Sequence, residues 1–127
     1  MTDLEKLKYA TTHEWVRLEE SGELMVGISE HAQNLLGDVV FVEFPELGKY
    51  IKGNEGCMML ESVKAASDIY MPVSGKITAL NIALEDEPEL INQDAYGAGW
   101  LFKLAPENTI DIETLMSLTE YEESLNE

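Results

Sequence analysis

Cysteine is nearly absent from this sequence: Cys57 is the only one among 127 residues. An intramolecular disulfide is therefore impossible. Cys57 stands among apolar residues and has no basic residue or histidine beside it, whereas a reactive thiol needs a cationic neighbour to lower its pKa. We therefore expect Cys57 to pack in the interior.

Basic residues are also scarce. The sequence has 8 lysines and arginines against 25 acidic residues, and its formal net charge is −17. Such a charge repels phosphate backbones and anionic lipids, so nucleic acids and membrane surfaces are poor partners. The imbalance is greatest over residues 104–127, which contain no lysine or arginine. We interpret this stretch as a solvated helix face. The functional alternative is steering toward basic docking faces of partner proteins.

Signatures of membrane proteins and enzymes are missing as well. No stretch approaches the roughly 20 apolar residues of a transmembrane helix, and Met1 to Lys8 has no apolar segment of the kind found in signal peptides. There is no glycine-rich phosphate loop and no Ser-His-Asp order. The two histidines, His13 and His31, have no clustered cysteines, so we predict no metal site. The sequence therefore predicts a cytoplasmic protein that is not itself an enzyme.

The residues that are present predict one mainly β domain over residues 1–127, with a core over about residues 7–105. The length suffices for a single core, and the 45% share of hydrophobic residues predicts that the chain folds. Apolar runs separated by turn residues predict strands. The predicted strands cover residues 14–18, 24–28, 39–44, 57–60, 69–72, 77–80 and 100–104, with one helical turn over residues 86–91.

Two further helices are predicted. Ser29 stands at the N-cap position of a short helix over residues 30–36, which Gly37 ends. Apolar residues at helical spacing predict a C-terminal amphipathic helix over about residues 111–125, with Asp111 as its N-cap.

Lys64 is the residue that most clearly indicates a function. It lies in the segment ESVKAASD, between two predicted strands, and so at the tip of a hairpin. A primary amine on a mobile four-carbon stem suits the attachment of a flexible arm, but a lysine with a pKa near about 10.4 needs an enzyme to form the amide. Val63 and Ala65 add little bulk, and we predict that Glu61, Val63 and Ala65 are recognised by the modifying enzyme. The alternative is that Lys64 is an ordinary polar turn residue.

The segment around Lys64, with the MPVSG that follows at residues 71–75, resembles the lipoylation segment of the H proteins of the glycine cleavage system. Further matches occur in the family's order from about residue 7 to residue 104, which is nearly the whole chain. They are LKY (7–9), HEWV (13–16), VGISEHAQ (26–33), LGD (36–38), PELIN (88–92) and YGAGW (96–100).

This resemblance implies the barrel-sandwich hybrid fold of lipoyl and biotinyl carriers, and one lipoate amide-linked to Lys64. It implies a carrier whose arm accepts an aminomethyl group from the pyridoxal-phosphate enzyme glycine decarboxylase and delivers it to the tetrahydrofolate-dependent aminomethyltransferase. Dihydrolipoamide dehydrogenase then reoxidises the arm, which a lipoate-attaching enzyme has first installed. We expect the chain to be a monomer.

The resemblance also implies a surface cleft that shields the loaded arm, near the residues that match Glu14, His31 and Asp68. Carboxylates at Glu14 and Asp68 would suit a cationic amine, and a neutral His31 could accept a hydrogen bond from it. Without the resemblance, we would expect Glu14 to be an exposed strand residue and His31 to be a solvent-facing or lightly packed helix residue.

Other functions compete with this one. Other lipoyl domains usually have aspartate before the lysine, and biotin carriers have methionine on both sides of it, where this chain has Val63 and Ala65. A non-lipoylated interaction or regulatory protein on the same fold is disfavoured by the intact flanks of Lys64. A carrier that relays lipoyl groups to other proteins remains an open alternative.

Two features depart from the family pattern. Ala95 stands where the family usually has proline, and we expect its loop to be less rigid for that reason. The segment 57–60 is rich in methionine, which we expect to alter core packing. Trp15 and Trp100 are predicted to be core anchors rather than docking surfaces.

Overall fold

The computed structural model describes residues 6–125, so the ends of the predicted domain, residues 1–5 and 126–127, lie outside the described residues, as does most of the segment Met1 to Lys8. The described residues form two antiparallel sheets. Their strands are β1 (Lys8–Tyr9), β2 (Glu14–Leu18), β3 (Leu24–Ile28), β4 (Val39–Glu43), β5 (Tyr50–Ile51), β6 (Gly56–Ser62), β7 (Ala66–Tyr70), β8 (Gly75–Leu80) and β9 (Phe102–Pro106). One sheet has the order β1-β2-β3-β9-β8-β5 and the other β4-β6-β7. The mainly β class predicted from the sequence is confirmed.

The hairpin of β2 and β3 separates two apolar clusters. Side chains alternate between the two faces of a strand, and on these strands both faces are apolar. Val16, Leu24, Val26 and Ile28 enter the main core, while Trp15 and Met25 belong to the second cluster with Leu7, Tyr9 and Tyr121. Apolar contact on both sides explains why β3 is buried at every position. Burying one such aliphatic side chain stabilises the fold by roughly 1.5–3 kcal/mol.

The two tryptophans differ in burial. Trp15 is fully buried, and its Nε1 donates a hydrogen bond to the carbonyl of Ala95 at 2.9 Å. Its role as a core anchor is confirmed. Trp100 is half-buried against the same second cluster, and it lies before β9 rather than inside it.

The helix predicted over residues 30–36 is confirmed as α1 (Glu30–Leu36). Ser29 Oγ accepts a hydrogen bond from the amide of Ala32 at 3.2 Å, which caps the first turn. At the other end, Gly37 has a φ of 85° and its amide bonds the carbonyl of Gln33 at 3.0 Å. Glycine adopts this backbone conformation without a steric penalty, so it ends the helix.

The single helical turn predicted over residues 86–91 is wrong. The chain forms two short helices there, α2 (Ala83–Asp86) and α3 (Leu90–Gln93). Pro88 separates them, because a proline disfavours helical backbone in the residue before it.

The amide side chain of Asn81 explains why β9 starts later than predicted: it donates to the carbonyls of Ala98 at 2.8 Å and Trp100 at 2.7 Å.

The predicted C-terminal helix exists, but it begins later than residue 111. A 3₁₀ helix spans Thr109–Thr114, and α4 spans Leu118–Leu125. Between them Met116 forms a β-bridge with Tyr9, which interrupts the helical backbone. Ser117 and Glu120 then begin α4 as a capping box, with Glu120 N donating to Ser117 Oγ at 3.2 Å and Ser117 N donating to Glu120 Oε1 at 3.0 Å. No helix among residues 6–125 is long and apolar enough to cross a membrane.

Candidate functional site

Lys64 is exposed at the tip of the β6–β7 hairpin, and Ser62 closes the turn beneath it. The hydroxyl of Ser62 accepts hydrogen bonds from the amides of Lys64 at 3.2 Å and Ala65 at 3.1 Å, and it donates to the carbonyl of Ala65 at 3.1 Å. The amide of Ser62 bonds that same carbonyl at 2.8 Å. One serine therefore uses its donor and both acceptor positions to hold the backbone of the lysine.

A second contact ties the tip to the end of α1. The amide of Val63 donates to the carbonyl of Asp38 at 3.0 Å. The side chain of Lys64 passes over Gly37, where a Cβ would lie 2.8 Å from Lys64 Cε. The missing side chain at Gly37 thus gives the stem of the lysine its place beside α1.

A cleft of about 260 Å³ opens next to the tip. Ala32, Leu35 and Leu36 of α1 form one wall, and residues 65–69 of the hairpin form the other. Ile28, Thr12 and His13 complete the lining. The cleft therefore begins at the residue that follows Lys64 and is largely apolar.

Of the three residues predicted near the arm, Asp68 is exposed and lines this cleft. Glu14 is only 1% exposed, and its carboxylate accepts hydrogen bonds from Thr12 Oγ1 and from the amide of Tyr70 at 3.2 Å. Burial raises the pKa of Glu14 to about 7, although these two hydrogen bonds oppose the rise.

The half-buried thiol of Cys57 has its pKa raised to about 12, mainly by burial and secondly by the negative charge of Glu14. This thiol therefore stays protonated.

His31, on α1, lies beside His13, and the two ring centroids are 5.1 Å apart with an interplanar angle of 48°. His13 lines the cleft, whereas His31 is not one of its lining residues. Burial lowers the pKa of His13, and the charge of His31 lowers it further. His13 also has a φ of 79°, which is uncommon for a residue with a side chain.

The three residues predicted to be recognised by the modifying enzyme are all exposed around the tip. Glu61 pairs with Ala66 as the last rung of the hairpin. Val63 is 70% exposed, and Ala65 also lines the cleft. The three predicted recognition residues thus lie around the same hairpin tip as the cleft.

Sequence reasoning missed Ser62, Gly37 and His13. A serine two residues before a turn residue is a known signal for side-chain bonding to the backbone of the turn, so Ser62 could have been found. Gly37 was assigned only to the end of α1. His13 has no local signal, because its closeness to His31 depends on the pairing of β2 with β3.

The sequence as a whole matches the family model of the glycine cleavage H-protein over residues 7–127. The chain belongs to the glycine cleavage H-protein family. The glycine cleavage system H protein of Psychrobacter cryohalolentis is 54% identical over 120 residues, covering 94% of this chain and 95% of that protein. The corresponding protein of Shewanella loihica is 54% identical over 122 residues, covering 96% and 95%.

A solved structure agrees with this membership. The crystal structure of a glycine cleavage system H protein from Mycobacterium marinum superposes with a TM-score of 0.87 at 35% identity, covering 97% of this chain and 98% of that one. The predicted fold class, a barrel-sandwich hybrid, is thereby confirmed. As an H-protein family member, the chain is a carrier component rather than a catalytic enzyme.

Proposed function

We propose that this chain is the lipoyl carrier of the glycine cleavage system, with lipoate joined through an amide to Lys64. The observation that carries the proposal is the position of this lysine, exposed on a turn that Ser62 holds, with its stem over Gly37 and a cleft beside it. A rigid base leaves the movement to the arm alone, so the entropic cost of ordering at each partner stays small.

The residues around Lys64 fit a lipoyl arm. The apolar walls formed by Ala32, Leu35 and Leu36 suit its hydrocarbon chain. The absence of a side chain at Gly37 leaves room for the start of the arm. When bound, a lipoyl group supplies a dithiolane that takes up a one-carbon unit with its amine and releases it again.

The chain's own residues have holding and shielding roles in this proposal. Asp68, on the wall of the cleft, supplies a carboxylate for the cationic end of the arm. Glu14 and His31 are proposed to support the arm indirectly, Glu14 through Thr12 and His31 through His13. The walls exclude water from the loaded arm.

The proposal assigns four protein partners to the carrier: glycine decarboxylase, the tetrahydrofolate-dependent aminomethyltransferase, dihydrolipoamide dehydrogenase and a lipoate-attaching enzyme. The net charge of −17 supports docking onto basic surfaces around the entrances of their active sites. Recognition by the attaching enzyme is proposed to use Glu61, Val63 and Ala65, which are exposed at the tip.

The direct test is the intact mass of the chain after expression with lipoate and a lipoate-attaching enzyme. We expect one lipoyl adduct on the wild type and none on Lys64→Ala. Lys52→Ala is the matched control, since Lys52 is an exposed lysine beside another turn, and it should carry the adduct. The lipoylated chain should then support glycine turnover by the three enzymes.

Two results would contradict the proposal. One is an adduct that persists on Lys64→Ala. The other is a lipoylated wild type that supports no glycine turnover. If that protein instead passed its lipoyl group to other proteins, the relay function would replace the proposed one.

A further inference from the structure

A chain of hydrogen bonds links the C-terminal helix to the arm cleft. Tyr121, on α4, is 3% exposed, and its hydroxyl lies 2.7 Å from Ser29 Oγ and 2.7 Å from His13 Nδ1. His13 lines the cleft, and Ser29 caps α1, which forms a wall of it. One buried hydroxyl thus bonds both a lining residue and the start of a wall.

One arrangement of the protons lets both hydroxyl groups donate a hydrogen bond. Ser29 Oγ already accepts a hydrogen bond from Ala32, and it has one proton to donate. If Ser29 donates to Tyr121, the proton of Tyr121 is directed at His13 Nδ1, and both hydroxyl protons are used. Nδ1 is then an acceptor, which neutral imidazole provides when its own proton is on Nε2.

The surrounding packing holds this geometry. The ring of Tyr121 stacks on Tyr9, with centroids 4.7 Å apart and an interplanar angle of 8°. The same ring meets His13 edge-on at 5.7 Å. The positive φ of His13 is a strained backbone conformation of the kind that is retained at functional sites.

We propose that Tyr121 is a positioning residue of the arm cleft, whose hydroxyl fixes His13 as the Nε2–H tautomer so that this N–H serves the lipoyl arm. The inference rests on the proposed function. Because Nδ1 is bonded to Tyr121, Nε2 is the nitrogen available to a ligand. A donor does not bind a cationic amine, so His13 pairs with the amide carbonyl of the arm, and the amine is left to Asp68.

The first test uses protein without lipoate, so its result does not depend on the proposed function. Tyr121→Phe removes one oxygen atom and keeps the stacked ring. The ¹⁵N shifts of the His13 imidazole are measured at about pH 8, where histidine is neutral. The wild type should show the widely separated Nδ1 and Nε2 shifts of a single tautomer, and the variant should show the smaller separation of a mixture.

The matched control is Tyr96→Phe. The hydroxyl of Tyr96 accepts a hydrogen bond from the amide of Glu30 at 2.9 Å, so it also holds the start of α1. A role limited to securing α1 would give the same spectrum in both variants. We expect the His13 tautomer to change only in Tyr121→Phe, and an equal tautomer ratio in all three proteins would overturn the proposal.

The second test uses lipoylated protein, after intact mass has shown that Lys64 is modified in each variant. Loss of the hydroxyl in Tyr121→Phe should speed the decay of the loaded arm, which is the hydrolysis of its aminomethyl group. The rate should rise roughly fivefold, as expected when one neutral hydrogen bond is lost. Failed modification would count against the proposed function. Normal modification with unchanged decay would count against the positioning role of Tyr121 alone.

A variant of His13 keeps the proposal testable if Tyr121→Phe does not fold. Asparagine tolerates a positive φ, so His13→Asn preserves the backbone while it removes the ring. The loaded arm of His13→Asn should decay as fast as that of Tyr121→Phe. Where both variants fold, the loaded arm of the double variant should decay no faster than that of either single variant, because Tyr121 acts through His13. Additive effects on the decay rate would show that Tyr121 does not act through His13.

Discussion

The stem of Lys64 crosses directly over Gly37, so closely that a Cβ built on Gly37 would lie 2.8 Å from Lys64 Cε. Carbon atoms that are not bonded to each other do not approach to that distance without displacement. The same glycine has a φ of 85°, which ends α1. One position therefore meets two requirements, a backbone turn and an open path for the lysine.

Gly37→Ala is expected to affect both stability and modification. Its φ of 85° and ψ of −165° lie in a region essentially restricted to glycine, so the alanine should cost about 1–3 kcal/mol of unfolding free energy. The new methyl group should also displace the lysine stem from its place beside the cleft. We expect lipoylation of Lys64 to slow several-fold, measured by intact mass over time, and the midpoint of urea unfolding to fall.

Gly48→Ala separates these two effects. Gly48 also has a positive φ, 86°, and no atom lies within 4 Å of its added Cβ, so an alanine there is strained without the contact. It should lose stability and be lipoylated at the wild-type rate. Equal lipoylation rates in the two variants would show that the contact between Gly37 and Lys64 has no functional role.

Ser62→Ala should loosen the turn that presents Lys64. The substitution removes all three hydrogen bonds of the hydroxyl, which together should cost about 1–2 kcal/mol because the turn is exposed. We expect a lower kcat/KM for the lipoate-attaching enzyme. Ser21→Ala removes a comparable hydroxyl from the β2–β3 turn and should leave this rate unchanged. A wild-type rate for Ser62→Ala would mean that the attaching enzyme shapes the turn itself.

Local signals predicted the elements that local interactions determine. The short helix is one example, since Ser29 and Gly37 cap it within its own sequence. The tip of the hairpin is another, because the turn around Lys64 is closed by residues next to it. The start of α4 carries a local signal too, the Ser-x-x-Glu pattern at Ser117, which was overlooked in favour of Asp111.

Contacts between distant residues explain what was missed. The backbone of Met116 leaves the helical path to pair with Tyr9, and no neighbouring residue indicates that pairing. His13 and His31 become neighbours through the pairing of β2 with β3, beyond which the amide of Ser29 donates to the carbonyl of His13 at 2.9 Å. The burial of Glu14 has the same origin, because an acidic residue on a strand next to a tryptophan gives no local sign that its carboxylate will bond the amide of Tyr70.

The buried carboxyl of Glu14 should make stability depend on pH. Its pKa rises from an ordinary value of 4.5 to about 7 in the folded chain, mainly through burial. The folded state therefore binds more protons than the unfolded state between these values, and the unfolding free energy should fall as the pH rises through this window. The fall in the unfolding free energy, measured relative to Glu14→Gln, should reach up to about 3 kcal/mol.

Glu43→Gln, at an exposed position on β4, is the control for removal of a surface carboxylate. Parallel pH profiles for the wild type and Glu14→Gln would assign the proton to another group.

Removal of His31 should change both the titration of its neighbour and the lifetime of the loaded arm. The charge of His31 lowers the pKa of His13, so His31→Ala should raise that pKa, which an NMR titration of the His13 imidazole would measure. His31 is also proposed to support the arm through its ring contact with His13. The loaded arm should therefore decay faster than in the wild type, by up to roughly fivefold if one hydrogen bond is lost. Asn34→Ala, at an exposed position on the same helix, should change neither quantity. A raised pKa with unchanged decay would remove His31 from the residues that protect the arm, whereas an unchanged pKa would mean that the two rings do not interact in solution.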